Sequence, residues 1–373
     1  VYVVPRWRTA FVNPFGERPS LDVLCSFYDE DGTPLSYARE QVVRRAAEAL
    51  RPGGVLGVVR SHHVAGGTSA FYEAADGCWR RFGQRDGDGG TRFRLQRDAG
   101  DTAAFHVIDL IDLEQVAPAA SQPAGCTSIT TYGAVPDDGV DDTAAIQRAV
   151  TDDENGVISC VWIPAGRWRQ EAKILSPDPN RGQYNQRGVR NVVVRGAGMW
   201  HTVLYSDTQP QNATGGINHP HEGNVGFEIE DNTQISDLSV RGNTQNRAHR
   251  GHGLNGRFGR DTRISNVWIE HVNVGAWVGR DYSDTPAYWN PADNLQFENM
   301  RIRNTFADGI NFSNGTRNSR VVNSSFRTTG DDALAVWANP YVRDQAVDIG
   351  SNNRFLNNTV QLPWRANGIA IYG

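Results

Sequence analysis

From about residue 190 the chain repeats itself imperfectly, as NVVVRGAGMWHTVLYS, GFEIEDNTQISDLSVRG, TRISNVWIEHVNVGAWVG, LQFENMRIRNTFADGINFS, SRVVNSSFRTTGDDALAVWA and NRFLNNTVQLPWRANGIAIYG. Each unit is two or three short apolar stretches broken by turn residues. Anchoring on the asparagine of ISN, FEN, VVN and FLN gives Asn266, Asn299, Asn323 and Asn357, spaced by 33, 24 and 34 residues. Strand-like units at such a period, without regular helices or recurring leucine, predict a solenoid of the parallel β-helix type in which the longer intervals carry loop insertions. The 39 glycines and an apolar fraction of 39% agree with a turn-rich all-β chain.

Ahead of the repeat lie two further regions. Residues 1–117 contain short apolar runs such as VYVV, LDVLCSFY and FHVIDLIDLEQV, which read as a small jelly-roll-like β-sandwich with one helix over 37–51. Its candidate duties are carbohydrate binding and capping of the solenoid. The Pro- and Ala-rich stretch 118–126 reads as a linker, and the β-helix is expected over 127–373. It opens with a strand, an acidic turn and a short amphipathic helix, for which Asp141 or Asp142 is the expected N-cap. The acidic run Asp137, Asp138, Asp141, Asp142 is read as turn and cap residues, so no metal and no cofactor is expected.

Charge and cysteine content narrow the partners. A net charge of -5 argues against a nucleic-acid ligand, and no apolar run is long enough to cross a membrane as a helix. The opening residues VYVVPRWRTAF lack the layout of a signal peptide, so the chain reads as mature or trimmed. Cys25, Cys78, Cys126 and Cys160 are too far apart for a CxxC motif; they permit two disulfides without dictating a pairing.

Chemistry points to one cluster. Asp308 lies nine residues after Asn299 and Asp332 nine after Asn323, so they occupy one position in consecutive rungs. Stacked strands are ~4.8 Å apart, which brings the two carboxylates to one small volume with Asp331 beside them. Such a cluster suits glycoside hydrolysis, where one carboxylic acid protonates the leaving oxygen and a carboxylate activates water. Around it, Trp277, His271, Trp337 and Tyr341 are the candidate substrate contacts. Trp337 should point outward if its neighbours Leu334 and Val336 point into the core.

The segments GAGMWHTVL (196–204), ADGINFSNGTRNSRVVNSSFRTTGDDALAVW (307–337) and NGIAIYG (367–373) resemble glycoside hydrolase family 87, the α-1,3-glucanases and mycodextranases, over about residues 105–373. The opening TSITTYGAVPDDGVDDTAAIQRAV is similar to the wider pectate-lyase-like superfamily. The resemblance implies a secreted, extracellular, endo-acting and inverting hydrolase of an α-glucan, with Asp308, Asp331 and Asp332 as its catalytic residues. By analogy with the related polygalacturonases, Asp331 would be the general acid, with Asp308 and Asp332 holding the water. The histidine motif that polygalacturonases carry after the aspartate pair is absent, which disfavours galacturonan. Because the chain stops in the middle of a rung, a C-terminal continuation or a complementing fragment is expected. The alternatives are a polysaccharide lyase or another polysaccharide hydrolase on the same scaffold and a non-catalytic glycan-binding β-helix; a lyase would want a Ca²⁺ site and a Lys or Arg base near an acidic sugar, and Lys173, the only lysine of the chain, lies outside the candidate rungs.

Overall fold

In the four rungs that begin at Asp261, Asn294, Asn318 and Asn352, three backbone corners are held by residues in the left-handed conformation, and these corners shape the path of the chain. A computed structural model describes residues 116–181, 185–210, 223–249, 251–279 and 286–372, together with two short antiparallel strands, Leu56–Gly57 and Arg81–Phe82. The expected sandwich, its helix over 37–51 and the cysteines Cys25 and Cys78 lie outside the described residues. By its contacts the chain divides into Val1–Pro118 and Ala119–Gly373.

The second unit is a parallel β-helix. One sheet runs through Phe227–Glu228, Leu254–Gly256, Ala276–Val278, Ile310–Ser313, Leu334–Trp337 and Ile369–Tyr372, each strand parallel to the next. A second, larger sheet bends at the anchoring asparagines. In the rung of Asn299, for example, Gln296–Glu298 lies on one side of the bend and Arg301–Arg303 on the other. Asn266, Asn299, Asn323 and Asn357 have φ of 53, 54, 52 and 52°. Asparagine is chosen there because it tolerates the left-handed region and its amide can bond along the stack. Asn299 Nδ2 donates to Asn266 Oδ1 at 3.1 Å, and Asn357 Nδ2 to Asn323 Oδ1 at 2.6 Å. Further left-handed corners are Asn294, Asn318 and Asn352 in one row and His271, Asn304 and Thr328 in another.

Alternation does the rest. Ile264, Phe297, Val321 and Phe355 stack in register facing the interior, and Phe258, Phe297, Phe312 and Phe355 run through it with ring centroids 5.7–5.9 Å apart. At the other end of the core, the helix Thr143–Glu154 buries Ala145, Ile146, Ala149 and Val150 beside Ile129, Val161 and Ile163. Asp142 holds its N-cap position but spends its carboxylate on the Val135 amide, while Asp141 Oδ1 accepts from Thr143 N and Oγ1. The acidic run thus serves turn and cap duties at both of these positions.

The stretch expected as a linker is fastened to the β-helix. Ala120 N donates to Ala197 O at 2.8 Å, and Cys126 is disulfide-bonded to Cys160, 34 residues on. In the last rung, Ile369 and Ile371, in register with the inward-facing Leu334 and Val336, are exposed, so the apolar interior is open along that edge.

A corner residue that needs the left-handed region should discriminate between alanine and glycine. Asn323→Ala is expected to lower the unfolding free energy by about 1–2 kcal/mol through the backbone conformation and the lost ladder bond, and Asn323→Gly by clearly less. Denaturant titration of the two variants against the parent checks this.

Candidate active site

The pairing Ile310↔Leu334 places Asp308 and Asp332 at equivalent positions of adjacent rungs, and Gly309 N donates to Asp332 O at 2.9 Å between them. The column they form reads Val274, Asp308, Asp332, Asn367 from rung to rung, since Ala276 pairs with Ile310 and Leu334 with Ile369. Asp331 joins from the side. One carboxylate oxygen from each of the three aspartates lies within 4.8 Å of the others. The expected convergence on one small volume is therefore what the register produces.

The glycines of ADG and GDD permit this approach. A Cβ at Gly309 would lie 2.3 Å from Ala333 O, and one at Gly330 would lie 2.3 Å from Phe306 O. Neither glycine has a positive φ, so the requirement is backbone clearance between rungs.

Each carboxylate has its own donor. Asp308 Oδ2 accepts from Asn311 Nδ2 at 2.9 Å, and Asp332 Oδ1 accepts from both the backbone N and Nδ2 of Asn367 at 2.9 Å. The Tyr372 hydroxyl also hydrogen-bonds Asp332, which raises the phenol's pKa above its ordinary value. Asp331 Oδ2 accepts from Arg247 Nη2. Exposure separates the three: Asp308 and Asp332 are 6% and 3% exposed, whereas the Asp331 side chain is 27% exposed. Asp331 is thus the most accessible of the three. Burial, reinforced by the charges of Asp331 and Asp332, pushes the Asp308 carboxyl from the usual carboxylate range up to about 6.

The aromatic candidates divide. Trp337 points away from the core as its neighbours predict, with Leu334 buried and Val336 packed on the interior. Its ring meets Trp277 edge-on at 5.8 Å, and Trp277 stacks on His252 at 5.5 Å, so one aromatic row runs beside the aspartates' sheet. Tyr341 sits in a second pair with Trp289 at 5.5 Å. His271 is set apart from these aromatic pairs. It occupies a left-handed corner in register with Asn304 and Thr328, is 9% exposed, has Nε2 4.0 Å from Glu270 Oε1, and burial lowers its pKa.

Four partners of the aspartates escaped sequence reasoning: Asn311, three residues after Asp308, and Asn367, Tyr372 and Arg247. Asn367 was findable, for it stands ten residues after Asn357, one more than the nine that mark Asp308 and Asp332 because that turn is a residue longer. Tyr372 lies in the same strand-forming motif. Arg247 lies in the stretch between the strands Gln234–Arg241 and Leu254–Gly256, outside any repeat position, and carries no signal beyond its charge.

Residues 139–373 match the family described as alpha-1,3-glucanase catalytic domain D2. Among solved structures, the chain is 38% identical to the Agl-KA catalytic domain, with a TM-score of 0.60, covering 71% of this chain and 43% of that one. It is 33% identical to the catalytic unit of a thermostable GH87 α-1,3-glucanase from Streptomyces thermodiastaticus, with a TM-score of 0.52 and coverage of 70% and 40%. A GH87 α-1,3-glucanase catalytic domain solved in complex with nigerose is 27% identical, with a TM-score of 0.52 and coverage of 76% and 43%. Mannuronan C5-epimerases of Azotobacter vinelandii are more distant; one is 26% identical over 212 residues, 53% of this chain and 11% of the epimerase. The chain therefore spans less than half the length of these solved relatives.

The buried Asp308 yields a stability test. Its folded pKa lies above the unfolded one, so its contribution to stability is fully present below about pH 4 and is lost as pH rises through about 6. Asp308→Asn, which cannot ionise, is expected to raise the unfolding free energy at pH 7 by up to about 3 kcal/mol, with the gain vanishing near pH 4. Urea unfolding at the two pH values reads the difference.

Proposed function

The chain belongs to the family of α-1,3-glucanase catalytic domains, and on that premise we propose that it is an endo-acting, inverting glycoside hydrolase that cleaves α-1,3-glucosidic bonds of an extracellular α-glucan. The observation that carries this reading is the register of Asp308 over Asp332 with Asp331 beside them, three carboxylates within 4.8 Å.

The arrangement supports a single displacement. A water held between Asp308 and Asp332 attacks the anomeric carbon and passes its proton to that pair. As the C1–O bond breaks, the leaving glycosidic oxygen takes a proton from Asp331, the most exposed of the three. Exchange with solvent then restores both proton states. The nearest oxygens are closer than the ~6.5–9.5 Å usual between the acid and base of inverting enzymes, so product configuration is a demanding test of this assignment. Endo action is supported by the position of the aspartates, which precede the fourth and fifth of six strands in their sheet, with rungs on either side. An extracellular setting is supported by the Cys126–Cys160 disulfide and by a polymeric substrate.

A lyase using a lysine base finds little support. Lys173 is buried and donates to the carbonyl oxygens of His252 and Gly253. Among the aspartates a second assignment is favoured by one observation: the raised pKa of Asp308 would suit a general acid.

Two measurements separate these readings. With Asp308 in the water-holding pair, it must be ionised, and kcat/KM on a soluble α-1,3-glucan is expected to rise as pH passes through about 6; a fall above that pH would make Asp308 the acid. Asp331→Asn is expected to lower kcat by about 10²–10⁴-fold with substrate still bound. NMR of the first products is expected to show the β anomer, and α anomers at early times would refute inversion. Incubation of the protein with a panel of neutral α-glucans and alginate tests the substrate class; unsaturated products from the acidic polymer alone would overturn the hydrolase reading.

A further inference from the structure

Arg247 is the one cation bonded to the aspartate cluster among the described residues, and the partners of its guanidinium are all protein atoms of the two rungs that carry the cluster. Nη1 donates to Phe306 O at 2.9 Å and to Gly330 O at 3.1 Å, and Nη2 donates to Asp331 Oδ2. Phe306 lies two residues before Asp308, and Gly330 immediately before Asp331. One planar guanidinium therefore straddles the junction of the two rungs and the carboxylate at its mouth. The bare backbone of Gly330, with no room for a Cβ against Phe306 O, brings the two carbonyls near enough to share a single nitrogen.

The stretch that carries the arginine is itself anchored. Asn246 Oδ1 accepts from the backbone N of Ala248 and His249 at 2.9 and 3.2 Å, its Nδ2 meets the His249 ring at 2.9 Å, and Asn273 Nδ2 donates to Arg247 O at 3.4 Å. Asn273 belongs to the turn directly beneath the one that holds Asp308, since Ala307 N donates to Asn273 O. The guanidinium thus approaches from a fixed loop.

A guanidinium holds its proton too firmly to act as an acid or base at ordinary pH, and its forked donors suit several acceptors in one plane. Its contribution to a reaction must therefore be geometric and electrostatic. An aspartate at 27% exposure, with no other donor to its carboxylate among the described residues, would otherwise sample its rotamers. Granted the hydrolase reading above, we propose that Arg247 is the positioning residue for Asp331: it fastens the carboxylate to the junction of the two rungs, so that the proton donor meets the glycosidic oxygen in one orientation. Substrate contacts elsewhere on the aromatic row do not depend on it. Loss of Arg247 therefore lowers turnover without lowering affinity.

The experiment uses the full chain with Arg247→Gln, Arg247→Lys and Arg247→Ala, each confirmed as folded by thermal unfolding. On an α-1,3-linked glucan oligosaccharide, Arg247→Gln is expected to lower kcat by about 100-fold with KM within about threefold of the parent. Arg247→Lys should restore part of the loss, because one ammonium reaches the carboxylate but cannot span both carbonyls. Added guanidinium at millimolar concentration should restore part of the activity of Arg247→Ala. In a crystal structure of Arg247→Gln, the Asp331 side chain should leave its parent position while Asp308 and Asp332 keep theirs. Unchanged kcat, a loss confined to KM, or an Asp331 that stays in place would overturn the proposal. If the parent protein cleaves no neutral glucan, the hydrolase reading falls, and the position of Asp331 in the Arg247→Gln crystal still decides whether the arginine fastens it.

Discussion

Left-handed corner residues, repeated in register, are what let a chain of short strands close into rungs that stack. A right-handed or extended residue there would send the strand onward, and neighbouring rungs would lose their parallel pairing. Asparagine meets the need twice, by tolerating φ near 53° at Asn266, Asn299 and Asn323 and by bonding its amide to the asparagine of the adjacent rung. Once the corners align, the inward side chains fall into columns such as Ile264, Phe297, Val321 and Phe355. Outward side chains and turn residues are aligned by the same constraint, and Asp308 and Asp332 are two of them.

The site is thus a by-product of stacking turned to use. Burying a carboxylate and placing like charges in one column both work against the fold, and the pKa of Asp308 is raised by the burial first and by the charges of Asp331 and Asp332 second. The surrounding donors reduce this conflict unequally. Asp332 receives the backbone and side chain of Asn367 and the Tyr372 hydroxyl, Asp331 receives Arg247, and Asp308 receives only Asn311 with deep burial. Three chemically identical side chains therefore stand in three different environments, which is the condition for dividing acid and base duties among them.

Much of this was legible in the sequence because a solenoid converts sequence spacing into spatial distance. The nine-residue offset from Asn299 and Asn323 sufficed to stack Asp308 on Asp332, and the alternation in ALAVWA sufficed to turn Trp337 outward. What was not legible departs from that conversion. Arg247 arrives from a loop with no repeat position, so its contact with Asp331, 84 residues away, follows from no period. His271 shows the opposite case: it occupies a repeat position, a left-handed corner in register with Asn304 and Thr328, and its side chain is buried beside Glu270, which its residue type did not signal. The stretch 118–126 looked like a linker from its prolines and alanines, while Cys126 within it gave no hint of its partner.

The central claim is that Asp308, Asp331 and Asp332 act on one glycosidic bond as a unit. A crystal structure of the Asp331→Asn protein with an α-1,3-linked glucan oligosaccharide spanning the cluster tests it most directly. The account predicts a glycosidic oxygen within hydrogen-bond reach of position 331 and a water bonded to both Asp308 and Asp332 on the far side of the anomeric carbon. A bound sugar whose nearest glycosidic oxygen lies away from all three aspartates, or whose anomeric carbon faces no water between Asp308 and Asp332, would contradict it.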